Sequence, residues 1–200
     1  SRTDKIDAAA FLAAVSVLET ENLKALRLVN DLLEAYRIED NSLNLQPRPF
    51  SIIELTRQAV NQFEYRAKKS NLKLTLFANE NVPQAFADQK KIQMVLEHLI
   101  NNAVSYSAGG EVAISIERKK NNILWTINDQ GVGIPANEIK KVFGKFFRSH
   151  NRMRYHTGGL GLGLYLSREI LRASGGAIGI RSIEGRGTTI WFTLPINPLV

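Results

Sequence analysis

Hydrophobic residues in the N-terminal part of the chain recur at alternating steps of three and four. They are Leu12, Val15, Leu26, Val29, Leu33 and Tyr36, and the polar residues Glu19 and Asn22 occupy the same seam. No Pro or Gly lies between Ile6 and Ile38, and good helix formers dominate this stretch. The pattern predicts one helix of about 33 residues, roughly 50 Å long, whose apolar seam needs a partner helix. We interpret the two polar residues as setting the register of a helical bundle. The alternative is that they lie beside the part of the bundle where a reaction or the docking of a partner takes place.

From residue 46 onwards, the polarity pattern changes repeatedly between that of strands and that of helices. Two prolines in 46–50 predict an extended linker, and Ser51 with Glu54 forms a capping box for a helix that ends near Ser70. Strands are predicted at 72–77, 84–87, 111–117, 123–129, 178–182 and 188–194, and further helices from Asp88 onwards, over 135–142 and over 161–174. A mixed sheet follows, because helices separate some strands and tight turns join others.

These elements predict two units. Residues 1–45 form the helix of a dimeric helical bundle, and residues 46–200 form an α/β domain, an α+β two-layer sandwich with a mixed sheet. A hydrophobic content of 44% is sufficient for one core of this size. No run of about eighteen apolar residues is present, so we expect no membrane contact. Cysteine is absent, which excludes thiolate chemistry and suits a cytoplasmic location.

The formal net charge of +7 raises the question of nucleic-acid binding. The basic residues are dispersed, and their local clusters lie at 66–69, 118–120, 140–141 and 148–154. The first three clusters are interpreted as solvated helix ends and a hairpin turn. We therefore expect no nucleic-acid partner, and only the last cluster is retained as a candidate ligand-binding loop.

Four short segments follow one another in a chemically meaningful order. They are Leu-Ile-Asn-Asn-Ala at 99–103, Asp-Gln-Gly-Val-Gly-Ile at 129–134, Phe-Gly-Lys-Phe-Phe at 143–147 and Gly-Leu-Gly-Leu-Gly at 159–163. A helical Asn supplies a hard oxygen for Mg²⁺, an Asp accepts from an adenine amine, and a glycine loop at a helix start offers amides to phosphate. Each segment alone has an ordinary structural explanation, such as a surface Asn or a strand-ending turn. Together they predict an ATP pocket.

In this order the segments resemble the N, G1, F and G2 boxes of the sensor histidine kinases of two-component systems. The segment 27–33 also resembles the second dimerisation helix of that family, so the resemblance covers nearly the whole chain. It implies that Asn102 coordinates Mg²⁺ and that Asp129 is the main determinant of adenine binding. It further implies nucleotide contacts from Tyr106, Gly131, Gly133, Ile134, Phe147, Arg148, Gly159, Leu160, Gly161, Leu162, Gly163 and Thr188.

The polar segment 148–158 shows no hydrophobic periodicity and is predicted to be a mobile lid over the nucleotide. Arg148 lies at its start and is the preferred donor to phosphate oxygens. Lys145, Arg152 and Arg154 are weaker candidates for the same contact.

Three residues depart from the family pattern. His98 stands where the family carries a second Asn, Ser105 where it carries Lys or Arg, and Leu160 where Thr or Ser is frequent. His98 is a poor Mg²⁺ ligand, and Ser105 offers no charge to phosphate. These departures favour an alternative, a catalytically impaired pseudokinase that senses nucleotide or docks a partner. ATP-hydrolysing relatives such as type II topoisomerases, the heat-shock chaperone and mismatch-repair ATPases are disfavoured, because their general-base Glu would stand where His98 does.

The resemblance implies an ATP-dependent protein-histidine kinase. Its catalytic portion would phosphorylate a His on its own or the partner protomer's dimerisation helix, for transfer to an Asp of a response regulator. The implied cofactors are ATP and Mg²⁺, and the implied partners are a second copy of the chain, through the bundle, and a response-regulator receiver domain. His98, His150 and His156 lack the sequence context of an acceptor, so no catalytic residue is assigned and the chain is interpreted as a fragment beginning after the acceptor helix.

Overall fold

The predicted N-terminal helix is the longest element of the computed structural model, which describes residues 8–79, 81–149 and 159–197. Helix α1 runs over Ala8–Glu39 and ends before Asn41, whose φ of 51° is left-handed. Most of the predicted apolar seam is open to solvent, namely Leu12, Leu26, Val29, Leu33 and Tyr36. Within the described part of the chain, nothing covers this face of α1.

Three further helices begin close to the predicted signals. They are α2 (Ile52–Lys69), α3 (Gln89–Tyr106) and α4 (Gly163–Ala173). The hydroxyl of Ser51 caps α2 by accepting from the backbone N–H of Glu54 at 3.2 Å. The carboxylate of Asp88 caps α3 by accepting from the N–H groups of Lys90 and Lys91. Among the described helices, none combines the length and the apolar character needed to cross a bilayer.

Two helices differ from their predictions. The helix predicted over 161–174 begins two residues later, because Gly161 has a φ of +73° that no helix accommodates. The helix predicted over 135–142 is only a 3₁₀ turn, Ile139–Lys141. The prediction was wrong in type, since the tighter hydrogen bonds of a 3₁₀ helix rarely extend beyond one turn.

The strands form one large and one small sheet. Their bounds are β1 Arg48–Phe50, β2 Leu72–Ala78, β3 Ala85–Ala87, β4 Gly110–Lys119, β5 Asn122–Asp129, β6 Ala177–Ile183 and β7 Gly187–Pro195. The large sheet has five strands in the order β2-β4-β5-β7-β6, and β1 pairs with β3 separately. Strands β2 and β4 run parallel, whereas the other neighbours in the large sheet run antiparallel. The predicted α/β fold with a mixed sheet is confirmed.

Helices α2, α3 and α4 pack on the large sheet and enclose the core with it. The indole of Trp125 on β5 stacks on the ring of Phe192 on β7, with centroids 4.9 Å apart, and its N–H donates to Oγ1 of Thr56 on α2 at 3.1 Å. The last turn of α3 reaches the loop after β5, where the N–H of Val132 donates to the C=O of Tyr106 at 3.1 Å. This junction between a helix end and a strand end positions the candidate site.

The last turns of α1 dock on the α/β domain through charged groups. Glu34 is buried, and its carboxylate lies 2.5 Å from Nζ of Lys91 on α3. One turn earlier, Oδ1 of Asp31 lies 3.1 Å from Nε2 of His98 on the same helix. One face of α1 therefore contacts α3, while its apolar seam remains exposed.

Candidate functional site

The end of β5 holds a buried carboxylate in a fixed orientation. Oδ1 of Asp129 accepts hydrogen bonds from the backbone N–H of Gly131 at 2.9 Å and from that of Thr188 at 3.1 Å. The first bond is local to the turn, and the second joins the turn to the neighbouring strand β7. Together they hold the carboxylate at the wall of a cavity.

Glycine is required at two positions of this turn by the closeness of neighbouring backbone. A Cβ on Gly131 would lie 2.3 Å from the carbonyl oxygen of Tyr106, and one on Gly133 would lie 2.1 Å from that of Ile183. Gly133 also has a φ of +64°, a conformation that side chains disfavour. The turn is therefore locked between α3 and the β6–β7 hairpin.

A pair of hydroxyl groups supports the turn from β6 and β7. Oγ of Ser182 accepts from the N–H of Ile134 at 2.9 Å and donates to the C=O of Gly187 at 2.9 Å. The Thr188 hydroxyl, 2.8 Å away, donates to Ser182, because the single hydroxyl proton of Ser182 is already used. Ser182 was not among the residues predicted for the site. A polar residue on the apolar phase of a strand pattern is the signal that identifies such a position.

Two adjoining cavities lie beside the turn. The smaller one is lined by Leu99, Asn102, Ala103, Tyr106, Ile127, Asp129, Gly133, Thr188 and Ile190. The larger one is a cleft of about 780 Å³ between α1, α2, α3, the segment before residue 149 and the loop 159–163. Asn102 and Tyr106 line both cavities and therefore stand at their junction. The arrangement offers a small compartment with one carboxylate, next to a wider cleft lined by both charged and apolar side chains.

The glycine loop at 159–163 closes one side of the cleft and begins α4. A Cβ on Gly161 would lie 2.7 Å from the carbonyl oxygen of Phe147, so the loop packs directly on the phenylalanine segment. Gly159 has no such neighbour, because a Cβ there would meet nothing within 4 Å. Among the described residues, no side chain caps the start of α4, where Leu162 is the N-cap. The first N–H groups of α4 are therefore available to an anionic ligand.

Most of the predicted contact residues line one of the two cavities. The smaller cavity is lined by Asn102, Tyr106, Asp129, Gly133 and Thr188. The cleft adds Phe147, Arg148, Gly159, Leu160, Gly161, Leu162 and Gly163. Gly131 and Ile134 line neither cavity, and both instead contribute backbone N–H groups that shape the turn.

Lys145, one of the residues predicted as weaker candidates for phosphate binding, is not found in the cleft. Nζ of Lys145 pairs with the carboxylate of Glu39 on α1 and lies 5.1 Å above the ring centroid of Tyr165. The hydrogen bond that Lys145 donates to Glu39 raises the pKa of Lys145. Lys145 is thus committed to the docking of α1 and does not line the cleft. Arg152, Arg154 and most of the predicted lid lie outside the described residues.

His98 connects α1 to the start of α4. Besides its contact with Asp31, its ring lies beneath the glycine loop, where a Cβ on Gly163 would be 3.3 Å from Cγ of His98. The sequence showed His98 only as a departure from the family pattern. Its contact with Asp31 joins residues 67 positions apart, which local patterns do not predict.

Arg66 is a second residue whose position the sequence did not predict. Its guanidinium donates to Oδ1 of Asn101 at 2.6 Å and to Oγ of Ser105 at 2.5 Å. Arg66 is exposed, as expected for a solvated helix end, but its guanidinium also contacts α3. The signal was its spacing of three residues from the buried Phe63, which turns Arg66 toward α3.

The chain is similar to known proteins over most of its length. A family model described as "Histidine kinase-, DNA gyrase B-, and HSP90-like ATPase" matches residues 87–198. The sensor histidine kinase WalK of Bacillus subtilis (strain 168) is 35% identical over 182 residues, which cover 90% of this chain and 30% of that protein. The chain thus spans less than a third of that relative's length.

Solved structures also resemble the chain. The full-length ShkA in complex with AMPPNP superposes with a TM-score of 0.79 at 26% identity, covering 96% of this chain and 40% of that one. The histidine kinase ThkA in complex with the response regulator TrrA has a TM-score of 0.67, covering 98% of this chain and 53% of that one. Because the ThkA chain is only 21% identical, this second likeness shows the fold alone.

Proposed function

Because the chain belongs to the family of histidine kinase-, DNA gyrase B- and HSP90-like ATPases, we propose that it acts as the ATP-binding and catalytic portion of a sensor histidine kinase. The observation that carries the proposal is the Asp129 carboxylate, held by two backbone N–H groups at the wall of a small cavity. The adjoining cleft lies at the start of α4, which no side chain of the described residues caps. The carboxylate can accept a hydrogen bond from the adenine amine, and the backbone N–H groups at the start of α4 can donate to the phosphates. The site therefore matches both ends of an adenine nucleotide.

The smaller cavity is the proposed adenine compartment. The exocyclic amine of adenine is a donor, whereas guanine carries a carbonyl oxygen at the equivalent position. A carboxylate only accepts hydrogen bonds, so Asp129 pairs with the first group and repels the second. Leu99, Ile127 and Ile190 supply apolar walls for the faces of the base. The compartment therefore favours ATP over GTP.

The cleft is the proposed triphosphate compartment. The glycine loop 159–163, the start of α4 and Arg148 line it, and each offers N–H donors to phosphate oxygens. Asn102 would hold Mg²⁺ through its neutral amide oxygen at the junction of the two cavities. The described residues contain no group of three or more His, Cys, Asp or Glu that could hold a metal alone, which fits an ion that arrives with the nucleotide. When bound, Mg²⁺ neutralises negative charge on the phosphates.

The proposed reaction is the transfer of the γ-phosphoryl group of ATP to an imidazole nitrogen. The bond from the γ-phosphorus to the bridging oxygen breaks, an N–P bond forms, and ADP leaves. The acceptor is a His on a dimerisation helix, of the same or the partner protomer, and the phosphoryl group then passes to an Asp of a response regulator in the cytoplasm. His98 is not assigned as the acceptor, because its sequence context differs from that of the family's acceptor and its ring packs beneath the glycine loop. The similarity of the chain to the sensor histidine kinase WalK supports this reaction.

Residues 1–45 are the proposed dimerisation segment, and residues 46–200 the catalytic domain. The exposed seam of α1 supports a homodimer, since burying each of its leucines stabilises association by about 1.5–3 kcal/mol. Sedimentation equilibrium is expected to show a dimer at micromolar concentration, and the double substitution of Leu26 and Leu33 by Glu is expected to shift it to monomer. An unmodified chain that is monomeric under these conditions would contradict the proposal.

Calorimetric titration tests nucleotide binding directly. The chain is expected to bind ATP and ADP in the presence of Mg²⁺, and GTP at least about tenfold more weakly. Asn102→Ala is expected to remove the Mg²⁺-dependent part of ATP binding and to spare binding without metal. Asn121→Ala, at an exposed turn, is the matched control and should behave like the unmodified chain. No binding at millimolar ATP would refute the proposed function.

A nucleotide-sensing or partner-docking pseudokinase is the second candidate function. Two contacts favour it. His98 and Ser105 stand at positions where the family carries nucleotide-site residues, but here Asp31 contacts His98 and Arg66 contacts Ser105. Adding a polypeptide that carries an acceptor helix, together with labelled ATP, separates the two functions. Phosphohistidine formation supports the kinase, and ATP binding without transfer supports the pseudokinase.

A further inference from the structure

The cleft beside Asn102 carries an excess of positive charge. Its lining includes the cationic residues Lys24, Arg27, Arg66, Lys90 and Arg148 and the acidic residues Asp31 and Glu97. The acids have local partners, since Asp31 lies against His98 and Glu97 accepts from the amide of Gln93 at 3.0 Å. The cleft as a whole therefore suits a polyanion better than a neutral or cationic ligand.

Among these cations, Arg66 is held in place on the helix that carries Asn102. Both terminal nitrogens of its guanidinium donate, one to Asn101 and the other to Ser105, which lie one helical turn apart on α3. Ser105 itself lies three residues, or about one turn, beyond Asn102. Two bonds to one helix restrict the rotamers of Arg66, so that its charge is presented at a defined place in the cleft.

The charge of Arg66 is not neutralised by the partners that hold it. Both acceptors are neutral, and no carboxylate in the described ranges pairs with this guanidinium. Burial lowers the pKa of Arg66, and the nearby positive charge of Arg27 lowers it further. A positive group that is repelled by a like charge gains from an anion placed beside it.

We infer that Arg66, on α2, binds the polyphosphate of the nucleotide and supplies the positive charge that Ser105 does not provide. The inference rests on the proposed function, because it assigns an additional contact to the same nucleotide. Arg66 is a binding residue in this role, and it takes no part in bond making or breaking. The simpler alternative is a purely structural link between α2 and α3.

The ratio of ATP affinity to adenosine affinity distinguishes these roles, since adenosine lacks phosphate. Arg66→Gln retains an amide donor near α3 and removes the charge. It is expected to weaken ATP binding by about tenfold, as for loss of one charge-assisted contact, and to leave adenosine binding within about twofold. Arg57→Gln is the matched control, because Arg57 lies on the same helix and pairs with the exposed Glu54. It should change neither affinity.

A second variant tests the charge itself. In Arg66→Gln/Ser105→Lys, the new ammonium can reach the position that the guanidinium occupied, because Ser105 lies 2.5 Å from it. The ATP-to-adenosine ratio is expected to return to within about threefold of the original. A ratio that stays low in this variant would overturn the charge-supplying role.

The remaining outcomes also decide the question. Equal weakening of ATP and adenosine in Arg66→Gln would show a structural link only, and unchanged ATP affinity would show that Arg66 does not meet phosphate. Either result overturns the inference while leaving the proposed function intact. If the unmodified chain binds neither ATP nor adenosine, the proposed function and the inference fail together.

Discussion

Replacing Asp129 with Asn is expected to weaken ATP binding by about 100-fold while leaving the fold intact. The amide oxygen of the new side chain can still accept from the N–H groups of Gly131 and Thr188, so the turn is retained. The amide NH₂ then faces the exocyclic amine of adenine, donor against donor, and neither group finds an acceptor. A lost charge-assisted bond together with this mismatch costs about 3 kcal/mol. Calorimetry on the folded variant measures the loss.

The control for this variant is Asp40→Asn, which removes the same charge at an exposed position after α1. Its ATP affinity should match that of the unmodified chain. In Asp129→Asn, the preference for ATP over GTP should also disappear, because an amide can donate to the guanine carbonyl. Unchanged ATP affinity in Asp129→Asn would mean that adenine does not bind against this residue.

Replacing Gly133 with Ala is expected to destabilise the chain by about 3 kcal/mol or more. The added Cβ would overlap the carbonyl oxygen of Ile183, 2.1 Å away, and the left-handed φ of +64° adds a further penalty. Because the contact is with backbone, no rotamer change relieves it. Urea unfolding followed by circular dichroism gives the free-energy difference from the unmodified chain.

Gly185→Ala separates the two causes. Gly185 has a similar φ of +76°, but a Cβ there would meet nothing within 4 Å. Its loss of stability should therefore reflect the backbone conformation alone, about 1–2 kcal/mol. Equal losses in the two variants would show that close packing against Ile183 is not what demands glycine at residue 133.

Local patterns predicted the elements of the fold well. The caps of α2 and α3 were visible in the sequence, since Ser51 and Asp88 act on N–H groups only two or three residues away. Strand alternation likewise predicted the hairpin of β4 and β5, whose residues pair across a short turn. The 3₁₀ turn at 139–141 was not distinguishable, because one helical turn has too few residues to show a period.

The site was predicted by chemistry more than by pattern. The Asp and the glycines of the 129–134 turn would also suit a plain strand-ending turn, so it was their combination with the other three segments that predicted the site. The structure places Asp129 and Gly133 at one cavity. The sequence did not show why residue 131 must be glycine, because the reason is the close approach of the Tyr106 carbonyl, which is a tertiary contact. The roles of the individual residues in binding nucleotide stay predictions.

The contacts between distant segments could not be predicted from one sequence. His98 meets Asp31 across 67 positions, and Arg66 meets Ser105 across 39. A histidine or an arginine on a helix has the same local pattern whether it faces solvent or a neighbouring helix. Only the packing of α1 and α2 against α3 decides which of these it does.

Charged side chains contribute much of the contact between α1 and the α/β domain. Glu34 and Lys91 are shielded from solvent only while the two surfaces are together. When the surfaces separate, both charges are rehydrated, and hydration recovers much of the energy that their attraction supplied. Asp31 and His98 behave in the same way, and exposed pairs such as Glu39 with Lys145 contribute at most about 1 kcal/mol. These charges therefore add little net energy to the contact, in which Ala35 is also buried. Any bend between α1 and the domain falls before residue 46, because the N–H of Gln46 donates to Asp88 at 3.0 Å and β1 pairs with β3.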